Sequence, residues 1–233
     1  MNASTTKWPA RSHQKLEQLA DNLWRVVAPV PGMLIKRQMV VAVDSSRRLL
    51  IHSCVALSAV EQARLEALGE PTWLVVPNGF HRLDAAAYKR RYPALIVIAP
   101  EGSRARVAEV VDVGQTYREF RSEGGLELEQ GPWPNAKEGV LRVRSGDGVT
   151  LVFNDLLFNP PKRGIAGLVY RALRQGPHVP WIAKQLLVDD VQVLRTWLST
   201  LAATPELRRV IPAHGEPIIE DAEAVLRSVA HQL

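Results

Sequence analysis

Helices and short apolar strands alternate through the middle of the chain, and this feature constrains the fold more than any other. Residues 58–68 have the serine and the acidic residue of a helix start, and residues 72–76 form a continuous apolar run. A second helix is predicted near 83–91 and a second apolar strand at 95–99. Because such strands have no polar face, they are typical of a sheet buried on both sides. The alternation therefore predicts a layered α/β fold.

The segments on either side of this region extend the same pattern. The apolar runs 39–43 and 49–51 predict a hairpin, and residues 115–155 predict short strands separated by glycine, proline and aspartate turns. Three further helices are predicted downstream, at 164–174, 189–203 and 221–229, and one further strand is predicted at 207–211. We expect residues 1–20 to form a tail or an outlying helix, and residues 21–233 to form one domain.

Composition excludes several classes of protein. With 46% hydrophobic and 23% charged residues in 233, the chain has enough apolar mass for a globular core. Its one cysteine, Cys54, excludes a disulfide framework and a cysteine-rich zinc finger. The net charge of +5 is scattered, no apolar run reaches the roughly 20 residues of a membrane span, and the N-terminus lacks a signal core. We therefore expect a cytoplasmic protein that binds neither nucleic acid nor membranes.

Three loops that follow predicted strands contain residues able to bind a metal. His81 comes shortly after the strand 72–76, Asp155 follows a strand at 149–153, and His214 follows the strand 207–211. Loops at the carboxyl ends of strands are where α/β proteins place ligands. Imidazole and carboxylate together suit zinc, iron or manganese. The alternative interpretation is a pair of hydrogen-bonded turn histidines and an aspartate that begins a turn.

The segment 210–217, with the sequence Val-Ile-Pro-Ala-His-Gly-Glu-Pro, resembles the last metal-ligand motif of the metallo-β-lactamase superfamily. Residues 150–155 resemble the strand that carries the bridging aspartate of that family, and residues 50–53 fall where it usually has Ile-Asp-Thr-Gly. The resemblance covers about residues 22–231. It implies a four-layer αββα sandwich and the activity of a metal-dependent hydrolase.

The sequence departs from the family at the motif H-x-H-x-D-H, which follows a buried strand corresponding to residues 72–76. When the motif is aligned after this strand, Asn78 and Phe80 stand at its first two histidines. Arg82 stands at its aspartate, and Leu83 stands at its last histidine. His81 falls on a spacer position, and residues 139–148 contain no histidine. The resemblance therefore implies at most a mononuclear site, with His81, Asp155 and His214 holding one divalent metal, zinc or iron. We expect no β-lactamase activity, because the two-metal site is incomplete.

Two functional hypotheses follow. The first is a metal-dependent hydrolase of unknown substrate, and the second is a non-catalytic relative whose metal-free pocket binds a small anionic ligand. Arg82 favours the second, since a cation repels a metal and attracts an anion. In either case the partner is a small molecule, and four further residues are predicted at its pocket: His52, Asn78, Arg82 and His178.

Overall fold

Two β-sheets form the centre of the protein in the computed structural model, which describes residues 8–122, 124–160 and 176–233. Seven strands lie side by side in chain order in the first sheet: β1 (Glu17–Ala20), β2 (Leu23–Pro29), β3 (Lys36–Val43), β4 (Arg48–His52), β5 (Glu70–Val75), β6 (Ile96–Ala99) and β7 (Gln115–Thr116). Strands β1 to β4 are antiparallel, and β4 to β7 are parallel.

Six further strands follow: β8 (Leu126–Gln130), β9 (Gly139–Ser145), β10 (Gly148–Val152), β11 (Phe158–Asn159), β12 (Leu207–Ile211) and β13 (His214–Gly215). The second sheet has the order β12-β10-β9-β8, and β11 pairs with β13 separately. Strand β10 runs parallel to β12 and antiparallel to β9. The carboxyl ends of β10 and β12 therefore lie at the same edge.

Helices cover the outer face of each sheet. They are α1 (Ala59–Leu68), α2 (Ala85–Arg91), α3 (Arg104–Ala108), α4 (Trp181–Leu187), α5 (Val191–Ala202) and α6 (Ala222–His231), with a 3₁₀ turn at Glu101–Ser103. Side chains of α1, α2 and α3 pack on the first sheet, and those of α4, α5 and α6 on the second. A third apolar layer, which includes Leu50 and Leu141, joins the two sheets. The predicted four-layer αββα sandwich is confirmed.

Part of the N-terminal segment belongs to the first sheet. Where we expected a tail or an outlying helix, residues 17–20 form β1 and pair with β2. The start of α1 explains the attachment. Ser58 accepts a hydrogen bond from the backbone of Glu61, but the Glu61 carboxylate accepts from the backbone of Leu16 at 2.7 Å, and the Ser58 N–H donates to His13 at 2.8 Å. Polar groups of the helix start thus bind the preceding segment.

Most of the predicted elements match the observed ones. The predicted strand 207–211 coincides with β12, and the predicted helix 189–203 contains α5. The predicted helix 164–174 lies outside the described residues. Within the described ranges, no helix combines the length and the apolar character needed to cross a membrane.

Candidate metal centre

Three chain segments bring potential metal ligands together between the two sheets. Asp155 and His214 follow β10 and β12 of the second sheet, and His81 follows β5 of the first. One ligand atom from each of the three side chains lies within 4.8 Å of the others. The three loops therefore converge on one place in the fold. Across the described ranges, no other group of three or more histidine, cysteine or acidic side chains is arranged in this way.

The carboxylate of Asp155 lies between the two imidazole rings. Its Oδ1 atom is 3.1 Å from His81 Nε2 and 3.2 Å from His214 Nε2, and the two ring centroids are 5.4 Å apart. Burial disfavours ionisation of Asp155, but His81 and the hydrogen bonds from both histidines hold its pKa well below the ordinary value. Burial likewise opposes protonation of His214, yet the hydrogen bond with Asp155 raises its pKa.

The Nδ1 atoms of both histidines are already hydrogen-bonded. His214 Nδ1 lies 2.7 Å from the carbonyl oxygen of Lys36, and His81 Nδ1 lies 2.9 Å from Ser53 Oγ. Because a carbonyl oxygen only accepts, His214 carries its proton on Nδ1, and in the neutral ring Nε2 presents a lone pair to the centre. Histidines that bind metals are oriented by such contacts to the second ring nitrogen. Both rings therefore point a potential ligand atom at the same place.

Asn78 joins the His81 loop to Asp155. Its amide nitrogen donates to Asp155 Oδ2 at 2.7 Å and to Glu138 Oε2 at 3.0 Å. Its amide oxygen accepts from the backbone of Phe80 and His81 at 2.9 and 3.2 Å. Asn78 is completely buried, so it supports the centre from within the protein and contributes no surface to a ligand.

Glu138, which no sequence motif indicates, holds the turn that carries Asp155. Its carboxyl oxygens accept hydrogen bonds from three successive backbone N–H groups, those of residues 154–156, at 2.9 to 3.1 Å, as well as from Asn78. Burial, and then the charge of Asp155, raise the pKa of Glu138 to about 8, against the effect of these donors. Because Glu138 precedes β9 and belongs to no motif, only its burial in the fold identifies it.

Comparison with known structures identifies this architecture. DIM-1 metallo-β-lactamase superposes with a TM-score of 0.62 at 14% identity, over 95% of this chain and 99% of that chain. A metallo-β-lactamase from Pontibacter korlensis gives 0.61 at 11% identity, over 95% and 100%. The chain has the metallo-β-lactamase fold. No family model and no curated protein matches its sequence.

Within the metallo-β-lactamase fold, two further residues predicted at the pocket do not line the cleft, in addition to the buried Asn78. Arg82 donates to Glu109 at 2.6 Å and to the carbonyl oxygen of Arg106, so its side chain points away from the centre and does not attract an anion there. His52 is buried, and its Nε2 has no hydrogen-bond partner among the described residues. Burial, and then the proximity of His81, lower the pKa of His52 to about 3, which keeps it neutral.

A cleft of about 760 Å³ opens over the metal-ligand candidates of this metallo-β-lactamase fold. His81, Asp155 and His214 line this cleft, and so does His178. Arg37, which no sequence motif indicates, also lines the cleft. Its guanidinium is bound to the carboxylate of Asp84 at 2.5 Å and to the Cys54 carbonyl oxygen at 3.0 Å, so its charge is compensated inside the protein.

Proposed function

We propose that this protein is a metal-dependent hydrolase that holds one divalent ion between His81, Asp155 and His214. One observation carries the proposal. Two imidazole Nε2 atoms face a single carboxylate oxygen at 3.1 and 3.2 Å, while both Nδ1 atoms are bonded elsewhere. Each histidine is thus held by a hydrogen bond at its Nδ1 atom, while its Nε2 atom, which would bind the metal, faces the centre.

The donor atoms fit zinc or iron. Catalytic zinc sites commonly have three protein ligands and one open position, and two histidines with one carboxylate also form the facial set of iron(II) sites. When bound, such an ion supplies a Lewis acid that polarises the carbonyl group of an ester, lactone or amide.

The residues around the centre would keep the ligands in place during the reaction. Glu138 and Asn78 bind both the backbone and the carboxylate of Asp155, while Ser53 and the Lys36 carbonyl group fix the two imidazole rings. The structural neighbours named above are metallo-β-lactamases, which supports a metal-dependent hydrolase-type fold.

The metal-free alternative has less support. It needs a cation that receives a small anion, and Arg82, the residue proposed for this, is turned towards Glu109. Arg37 is the one lysine or arginine among the described residues that line the cleft, and it is paired with Asp84. The carboxylate of Asp155 would moreover repel an anion in the absence of a metal.

The experiment measures hydrolysis of uncharged esters and lactones by protein purified without a histidine tag and loaded with zinc or iron(II). We expect hydrolysis that is abolished by a chelator and restored by the metal, and that is absent from Asp155→Ala. Asp112→Ala, which removes an exposed carboxylate elsewhere, is the control and should behave like the wild type. Hydrolysis that survives both the chelator and Asp155→Ala would contradict the proposal.

A further inference from the structure

The cleft over the metal-ligand candidates is surrounded by large apolar side chains that are exposed to solvent. Of the ten exposed large hydrophobic residues in the described part of the chain, six line this cleft: Met33, Phe80, Leu83, Trp181, Ile182 and Leu186. They come from the loop between β2 and β3, from the loop after β5, and from α4. Apolar side chains from three separate segments that are left exposed around one cavity indicate a binding site.

The shape and the distribution of polar groups favour a small molecule. The volume of about 760 Å³ lies within the range of roughly 300 to 1,000 Å³ that is typical of small-molecule sites. Such sites have mainly apolar walls with a few polar groups that fix the orientation of the ligand. Here the polar groups are concentrated where His81, Asp155 and His214 meet.

The charges that line the cleft indicate an uncharged ligand. Arg37 is paired with Asp84 and is 4% exposed, so among the described lining residues no lysine or arginine is free to bind a phosphate or a carboxylate. The part of the ligand that lies against these walls would therefore be uncharged, and the polar group at the centre would be the carbonyl group of an ester or a lactone, which the proposed metal polarises.

We propose that the substrate is an uncharged ester or lactone with a hydrocarbon chain, which lies against the apolar walls while its carbonyl group lies at the centre. This inference rests on the proposed function and adds the class of substrate to it. In the hydrolysis, the oxygen of water forms a bond to the acyl carbon, and the bond from that carbon to the alkoxy oxygen breaks. The alkoxy oxygen receives one proton of the water, and the second is released from the acid that forms.

The test uses binding, so that it does not depend on catalysis. N-phenyl-1-naphthylamine, an uncharged fluorescent probe, is bound to chelator-treated protein and displaced by methyl butanoate, methyl hexanoate and methyl octanoate. Because each buried methylene contributes about 0.8 kcal/mol, we expect the dissociation constant to fall about fourfold for each methylene added. Equal dissociation constants across the series, or failure of the probe to bind, would overturn the proposal.

Two matched variants locate the binding site. Ile182 lines the cleft and is 52% exposed, whereas Ile219, which is 44% exposed, is not among the lining residues. We expect Ile182→Ser to weaken the binding of methyl octanoate at least about threefold and Ile219→Ser to leave it unchanged. Equal effects of the two variants would contradict an apolar site at this cleft.

Hydrolysis of the same esters by the metal-loaded protein separates this proposal from the previous one. If binding depends on chain length but no metal-dependent hydrolysis occurs, the apolar site is supported and the hydrolase is refuted. If hydrolysis occurs without any dependence on chain length, the hydrolase is supported and the class of substrate proposed here is refuted.

Discussion

Replacing Glu138 with alanine tests the hydrogen-bond network beneath the metal-ligand candidates. The substitution removes the acceptor of three buried backbone N–H groups and one of the two acceptors of the Asn78 amide nitrogen. A buried donor without a partner costs about 1 to 3 kcal/mol, so the three backbone groups alone correspond to at least about 3 kcal/mol. For a chain of this length, about 1 kcal/mol lowers the melting temperature by about 2 to 4 °C, which predicts a decrease of about 6 to 12 °C.

The assay is thermal unfolding of the chelator-treated protein at neutral pH, followed by circular dichroism. Glu127→Ala is the matched control, because Glu127 is exposed and forms an ion pair with Arg142 at 3.5 Å on a neighbouring strand. Such a surface pair contributes less than about 1 kcal/mol. If Glu138→Ala melted within about 1 °C of Glu127→Ala, the network would not hold the Asp155 turn in the way described here.

Three further predictions concern the centre itself. Although burial opposes it, the hydrogen bond with Asp155 raises the pKa of His214, so the contribution of this pair to stability is complete below about pH 6.5 and is lost as the pH rises through the raised value. The melting temperature of metal-free wild type should therefore exceed that of His214→Gln more at about pH 5.5 than at about pH 9, and a constant difference would refute the pairing. Arg82→Ala should leave metal affinity within about twofold of the wild type, because its guanidinium binds Glu109, and a larger loss measured by competitive titration would place Arg82 at the centre. The metal-loaded protein should not turn over a β-lactam efficiently, since the ligands of a second metal are missing from the segment 78–83; efficient turnover that a chelator abolishes and zinc restores would show that interpretation to be wrong.

The sequence predicts those parts of the structure that depend on local pattern. Continuous apolar runs such as 95–99 locate strands, because a strand buried on both faces excludes polar side chains. Asp155 and His214 could be placed together because residues that follow parallel strands of one sheet leave at the same edge. His81 follows a strand of the other sheet, and only the family resemblance implied its place beside them.

Contacts between distant segments could not be predicted in this way. Glu138 supports Asp155 across 17 positions of the chain, and the Lys36 carbonyl group bonds to His214 across 178. Ser53 stands where the resembled motif has glycine, and its backbone is left-handed, with φ of 54°. A serine at a glycine position was the sequence signal that could have indicated its contact with His81. The direction of Arg82 depends on Glu109 and on the Arg106 carbonyl group, which the sequence does not place near it.

Metal stoichiometry tests the central claim most directly. Protein without a histidine tag is dialysed against zinc or iron(II), and bound metal is measured by elemental analysis for the wild type, His81→Ala, Asp155→Ala, His214→Ala and the control His52→Ala. We expect about one ion for each chain of the wild type and of His52→Ala, and strongly reduced binding by the other three, because each removes one of the three ligands proposed among the described residues. A wild type that binds no metal, or binding that is unchanged in all three ligand variants, would contradict the account.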